Sequence, residues 1–210
     1  LTGCWQMEEP EEELPMQPME EDEEARSEKT AALPEQLALP YSPGRTLDPI
    51  VCADGMQQVV ASLLYEGLFR LNGQMEPEPC LCGSYSKDEE SRRYVFELRE
   101  GVVFSDGSPL TAKDVRMSLD RARQSPRYQS RLSGITSVSV SRGKVVVTLS
   151  SPNTALPALL DVPIMKSGTQ NTAAPTGTGP YLYEEAGSCL VANQSWWRGA
   201  NQAMDRITLV

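Results

Sequence analysis

No histidine occurs anywhere in the 210 residues. That absence removes Ser-His-Asp triads, Cys-His pairs and histidine-ligated zinc sites from consideration. Basic residues are also scarce, 19 Lys and Arg against 29 Asp and Glu, for a formal charge of −10. Nucleic-acid binding is excluded on that ground, because phosphate neutralisation needs clustered Lys and Arg. Apolar runs are too short for a membrane-spanning helix. Glycine-rich Gly177-Thr178-Gly179-Pro180-Tyr181 has no following Lys-Ser/Thr, and Pro180 obstructs a phosphate-cradling helix start, so it is not a P-loop.

What is present is unevenly spread. Residues 1–35 hold twelve acids, concentrated in Glu8–Glu13 and Glu20–Glu24, against only Arg26 and Lys29. Residues 36–210 then balance at seventeen acids and seventeen bases. A segment rich in like charges, with Pro10, Pro15 and Pro18 and few large apolar residues, cannot offset its ordering entropy by burial. It is expected to be a disordered tether, with an acidic interaction tail as the alternative. The chain opens Leu1-Thr2-Gly3-Cys4, which resembles a bacterial lipobox. That resemblance implies residues 1–3 as the end of a signal peptide, a lipid on Cys4, and residues 4–35 as the spacer to a domain at 36–210. Acyl chains contribute about 0.8 kcal/mol per buried methylene, so a multiply acylated cysteine anchors firmly to a membrane.

Past residue 35 the pattern becomes that of a folded domain. A short strand is predicted over Gln36–Tyr41 and ends at Ser42-Pro43-Gly44. Asp54 is a suitable N-cap for a helix over Met56–Tyr65, where Val59, Val60, Leu63 and Leu64 recur at helical spacing. Tyr94, Phe96 and Leu98 alternate along a half-buried strand. Thr111 and Asp114 form a capping box that opens a helix with Val115, Leu119 and Ala122 on one face. Ile135–Ser141 and Lys144–Ser150 form a hairpin around Arg142-Gly143. Asn153 caps a short helix through Leu160, and a loop over Gly168–Gly179 leads to strands near Tyr181–Glu184, Cys189–Asn193 and Arg206–Val210. Hairpins mixed with helices, without strict alternation, give a mixed α/β (α+β) class.

No residue set makes a convincing catalytic site, and the chain reads as a non-enzyme with no cofactor and no metal site. Asp106 and Asp114 have local duties in a turn and a cap, which disfavours an acid/base pair. Cys52, Cys80, Cys82 and Cys189 permit disulfides in an extracytoplasmic setting, although small buried thiols are the preferred reading.

Four stretches, in order, resemble the peptide/nickel class (family 5) of extracytoplasmic solute-binding proteins that feed ABC importers. They are Leu64-Tyr65-Glu66-Gly67-Leu68-Phe69, the long run from Tyr94 to Val115, Gly177-Thr178-Gly179-Pro180-Tyr181, and Asn193-Gln194-Ser195-Trp196-Trp197. The resemblance implies a periplasmic-binding-protein-like type II clamshell closing on a ligand by a hinge. Residues 36–210 then correspond to most of one lobe, with the second lobe absent. It implies an oligopeptide or dipeptide ligand held largely through its main chain, delivery to permease subunits, a lipid-anchored monomer at the outer face of the cytoplasmic membrane, and no bond chemistry. The alternatives are a nickel or metal-chelate binder, a single-lobe surface interaction or sensing module, and a cytoplasmic regulator, which the lipobox disfavours. The resemblance places the family's acidic anchor for a peptide amine in the second lobe, so no residue here is assigned to it. The loop from Lys166 to Thr176 is short for the family, and Trp196 stands where tyrosine is usual. Ligand contacts are expected from Asp54, Gly55, Met56 and Gln57 before and at the start of the first helix, and from Thr178 and Gly179. Trp196 and Trp197 are expected to pack in the core.

Overall fold

The computed structural model describes residues 36–210; Cys4 and the acidic segment 1–35 lie outside the described residues. Valine-rich alternation builds the first sheet. Strands β4 (Cys82–Lys87), β5 (Arg93–Leu98), β6 (Ile135–Ser141) and β7 (Lys144–Leu149) pair antiparallel in the order β4-β5-β7-β6. Arg142 and Gly143 both take positive φ, +50° and +75°, as a two-residue hairpin turn with the right twist requires. In β7, Val145, Val146 and Val147 are all buried, as befits an inner strand covered on both faces. Tyr94 and Phe96 of β5 stack at 5.8 Å and complete the aromatic part of the core.

Helix α2 (Ala112–Gln124) packs on β6 and β7 and buries Val115, Leu119 and Ala122, while its buried Ser118 hydroxyl exchanges hydrogen bonds with the Met165 backbone. The Asp114 carboxylate accepts from the Thr111 amide at 2.9 Å and the Thr111 hydroxyl at 2.6 Å, fixing the helix start. The other Asp114 oxygen accepts from the Ser167 amide at 2.8 Å, so the same residue also anchors the loop after Met165.

The second sheet runs β1 (Ala38–Leu39), β10 (Arg206–Leu209), β9 (Cys189–Ala192) and β8 (Tyr181–Glu184), with β1 parallel to β10 and the rest antiparallel. The remaining elements are α1 (Gly55–Ser62), the small hairpin β2 (Phe69–Leu71)–β3 (Pro77–Pro79) and the one-turn α3 (Leu156–Leu159), which packs on β2. One continuous core joins them, centred on Val60, Leu68, Phe69, Leu156, Val162 and Ile164. The class is mixed α/β, as the sequence pattern implies.

Three boundaries differ from the sequence expectation. The first strand is confined to Ala38–Leu39, although backbone bonds flank it on both sides, from the Thr208 amide to the Leu37 oxygen at 3.0 Å and from the Tyr41 amide to the Val210 oxygen at 2.7 Å. Helix α1 stops at Ser62, three residues before Tyr65: the Leu63 and Leu64 carbonyls leave the helix to accept from the Tyr181 and Gly179 amides at 3.1 and 3.0 Å. The short helix begins at Leu156, and Asn153 serves the turn before it, accepting from the Ala155 amide at 2.8 Å. Strands β2, β3 and β4 carry no clear alternation and acquire their character from their partners.

Candidate functional site

The four sequence stretches meet around the chain that leaves α1. Ideal Cβ atoms on Gly177 and Gly179 would lie 2.1 Å from the Leu64 oxygen and 2.5 Å from the Leu64 carbonyl carbon. Only glycine lets these two backbones touch. The Ser105 amide donates to the Gly177 oxygen at 2.9 Å, tying in the Ser105-Asp106-Gly107 turn. Glu66 is the polar hub. Its carboxylate accepts from the Trp197 indole at 2.6 Å, the Thr178 hydroxyl at 2.8 Å and the Trp196 indole at 3.3 Å. A nearly buried carboxylate needs such donors to offset desolvation. Arg99 and Arg198 lie over the Trp197 ring at 5.2 and 4.5 Å.

Opposite ends of α1 receive the residues expected to touch ligand. Asp54 caps α1 by accepting from the Met56 amide at 2.9 Å and pairs with Arg45 at 2.9 Å. Gly55 opens the helix, Met56 is exposed on its outer face, and Gln57 is fully buried. The Gln57 amide is spent on the preceding loop, accepting from Ser42 and donating to the Ser42 and Arg45 carbonyls. Thr178 and Gly179 sit beyond the other end, about 12 Å of helix away, Thr178 buried on Glu66. The structure therefore does not gather these six into one cluster. Trp197 packs on the core as expected, and Trp196 borders a cavity.

A groove along the flank of α1 joins what lies between. Its first compartment, about 280 Å³, is lined by Gln58, Ser62, Tyr65, Arg127, Tyr128, Arg131 and Asp161 among others. A second, about 450 Å³, continues past the shared wall of Ser62, Tyr65, Asp161 and Pro163 to Glu66, Cys80, Trp196 and Arg198. Helical turns after α2, closed by bonds from Gln129 to Ser125 and from Leu132 to Tyr128 (both 2.9 Å), place two guanidiniums over one phenol ring. Arg127 and Arg131 lie 5.3 and 5.0 Å from the Tyr128 centroid. Arg131 Nη2 approaches Asp161 Oδ1 to 2.6 Å, but the pair is misaligned: Arg131 Nε and Nη2 and Asp161 Oδ1 are buried with no hydrogen-bond partner. Proximity supplies charge neutralisation while the directional capacity stays unspent. Two guanidiniums against one carboxylate leave this compartment net positive. Burial, reinforced by Asp48, pushes the Tyr65 hydroxyl well above the usual phenol range, where it donates to the Pro175 carbonyl at 2.7 Å, and burial also raises Tyr128.

Sequence reasoning missed Arg127, Tyr128, Arg131 and Asp161. The i, i+4 spacing of Arg127 and Arg131 is a local signal for two cations on one side, whereas Asp161 arrives from distant sequence. All four cysteines of the described residues are buried free thiols. Burial pushes the Cys82 thiol up to about 11 and raises Cys80 as well.

A half-open groove with convergent polar groups on an α/β scaffold has the form of a small-ligand site. The profile of the bacterial extracellular solute-binding proteins, family 5 (middle part), matches residues 76–210. The glutathione-binding protein GsiB of Escherichia coli K12 is 32% identical over 149 residues, 65% of this chain and 29% of GsiB. Among solved structures, MoaA from A. tumefaciens R10, in complex with mannopinic acid, superposes with a TM-score of 0.73 at 26% identity over 83% of this chain and 40% of its own. NikA from Brucella suis, in complex with Fe(III)-EDTA, gives 0.69 at 26% identity over 83% and 39%. The chain belongs to family 5 of the bacterial extracellular solute-binding proteins, and it spans under a third of the length of the curated relatives it matches.

Proposed function

We propose that the chain acts in the solute-binding component of an ABC importer, capturing oligopeptides or dipeptides outside the cell and handing them to permease subunits. The observation that carries the ligand class is the net-positive compartment of Arg127, Arg131 and Asp161. A peptide carboxylate entering there pairs with exposed Arg127 and the exposed part of the Arg131 guanidinium, whose combined charge the single Asp161 carboxylate does not neutralise. Glutathione, mannopinic acid and EDTA, the ligands named for the three similar proteins, share carboxylates with such a peptide. Asp54, Gly55, Met56 and Gln57 frame one end of α1 in this reading, with exposed Met56 available to ligand; Thr178 and Gly179 frame the other.

A metal chelate is the second reading, favoured by the NikA likeness, because the same guanidiniums suit a carboxylate-rich chelate. Calorimetry separates the two: a di- and tripeptide pool should give saturable heat, and heat from a nickel–EDTA complex alone would overturn the peptide assignment. We assign the lipid to Cys4, with the acidic segment as a spacer that anionic headgroups repel, and a monomeric state. Cys4→Ser should move the protein from the membrane to the soluble fraction, and unchanged fractionation would refute the anchor.

A further inference from the structure

The loop that departs from the family pattern builds a second cavity. This cavity, about 490 Å³, is lined by Tyr41, Arg45, Asp48, Arg121, Asn171 and Tyr183 among others, and it shares no lining residue with the α1 groove. Its wall at 170–173 is rigidly made. Lys166 and Thr176 pair at 2.8 Å, Thr169 accepts from the Thr176 amide at 3.0 Å, and the Leu47 amide donates to the Ala173 oxygen at 2.8 Å. The N-terminal end of the loop is pinned to α2 and to the turn before it, through Ser167 on Asp114 and Lys166 on Asp106.

The lining chemistry differs from that of the groove. Arg45 and Arg121 are matched by Asp48 and Glu185, so the cavity carries no net charge. Asp48 is almost fully buried and already satisfied, accepting from Arg121 at 2.7 Å and from the Ile50 amide at 2.9 Å. Tyr41 and Tyr183 both line the cavity, their tilted rings 6.0 Å apart between centroids and their hydroxyls 3.1 Å apart, which sets two aromatic rings beside a polar edge. Gln170 gives its oxygen to the Gly168 amide, which directs its NH₂ outward as a donor, and Asn171 is exposed at the rim. An uncharged ligand with apolar C–H faces and many hydroxyls matches aromatic faces edged by amides and hydroxyls. A preformed wall lowers the ordering cost of binding it.

We propose that this cavity binds a neutral saccharide, at a site separate from the carboxylate groove. Saturation-transfer NMR on the whole 210-residue chain, with cellobiose and N-acetylglucosamine as probes, tests it. Ring protons of at least one sugar should saturate, the effect should fall at least fivefold in Asn171→Ala and in Tyr183→Leu, and Arg131→Ala should leave it unchanged. Asn171 is exposed, so its variant folds even where Tyr183→Leu does not. No saturation with either sugar, or saturation that survives Asn171→Ala and Tyr183→Leu, overturns the proposal. Loss of peptide binding by Arg131→Ala, measured alongside, reports on the groove alone, so the two assignments fail independently.

Discussion

Replacing Gly179 by alanine tests the junction on which the whole lobe is assembled. The added Cβ would lie 2.5 Å from the Leu64 carbonyl carbon and 2.7 Å from the Leu63 and Leu64 oxygens. These are backbone atoms, so no flexible side chain can yield. Relief requires the two segments to separate, which strains the bonds from Gly179 to Leu64 (3.0 Å) and Tyr181 to Leu63 (3.1 Å). Overpacking in a filled core costs roughly 1–3 kcal/mol, and weakening two amide bonds adds about 1 kcal/mol each. We expect a loss near 3 kcal/mol, which is about 10 °C in Tm for a domain of this size. Urea unfolding followed by tryptophan fluorescence reads it directly, with Gly134→Ala as the control, since its Cβ meets nothing within 4 Å. A Gly179→Ala loss under about 1 kcal/mol, equal to that of the control, would refute the close-approach reasoning.

The remaining expectations concern charge. Glu66→Gln turns one of two acceptor oxygens into a donor facing indole and hydroxyl donors, and should cost about 1–3 kcal/mol in the same urea assay; an unchanged midpoint contradicts the hub. Hydrogen bonds from Lys166 and Ser108 hold the Asp106 carboxyl down at about 2. Its folded value lies below its unfolded value, so its contribution is full above the unfolded carboxylate range, near pH 4, and is lost as pH falls toward 2. The pair is largely exposed and worth about 1 kcal/mol at most. Asp106→Asn should flatten the acid limb of a stability–pH profile in that window and leave the neutral region shifted by no more than that amount.

Local chemistry made much of this fold legible. The Arg142-Gly143 hairpin, the Thr111–Asp114 box and the α2 face follow from turn chemistry and helical period, and each stands where the sequence puts it. The end of α1 is not readable, because Leu63 and Leu64 remain good helix formers and are withdrawn by the Tyr181 and Gly179 amides more than a hundred residues away. The site divides the same way. Asp54 announces itself as a cap. The Arg131–Asp161 contact and the Glu66–Trp197 bond span distances in sequence that no spacing rule connects. The signature stretches proved to hold the scaffold together, while the groove is lined largely by residues outside them.

Arg127 and Arg131 reading a carboxylate is the centre of the proposed function. Calorimetric titration of the intact chain with a tripeptide and with its C-terminal amide, against wild type and Arg131→Ala, tests this most directly. The free acid should bind at least tenfold more tightly than the amide, about 1.4 kcal/mol, and Arg131→Ala should erase that difference. Equal affinity for acid and amide in the wild type, or a preference that survives Arg131→Ala, would contradict it.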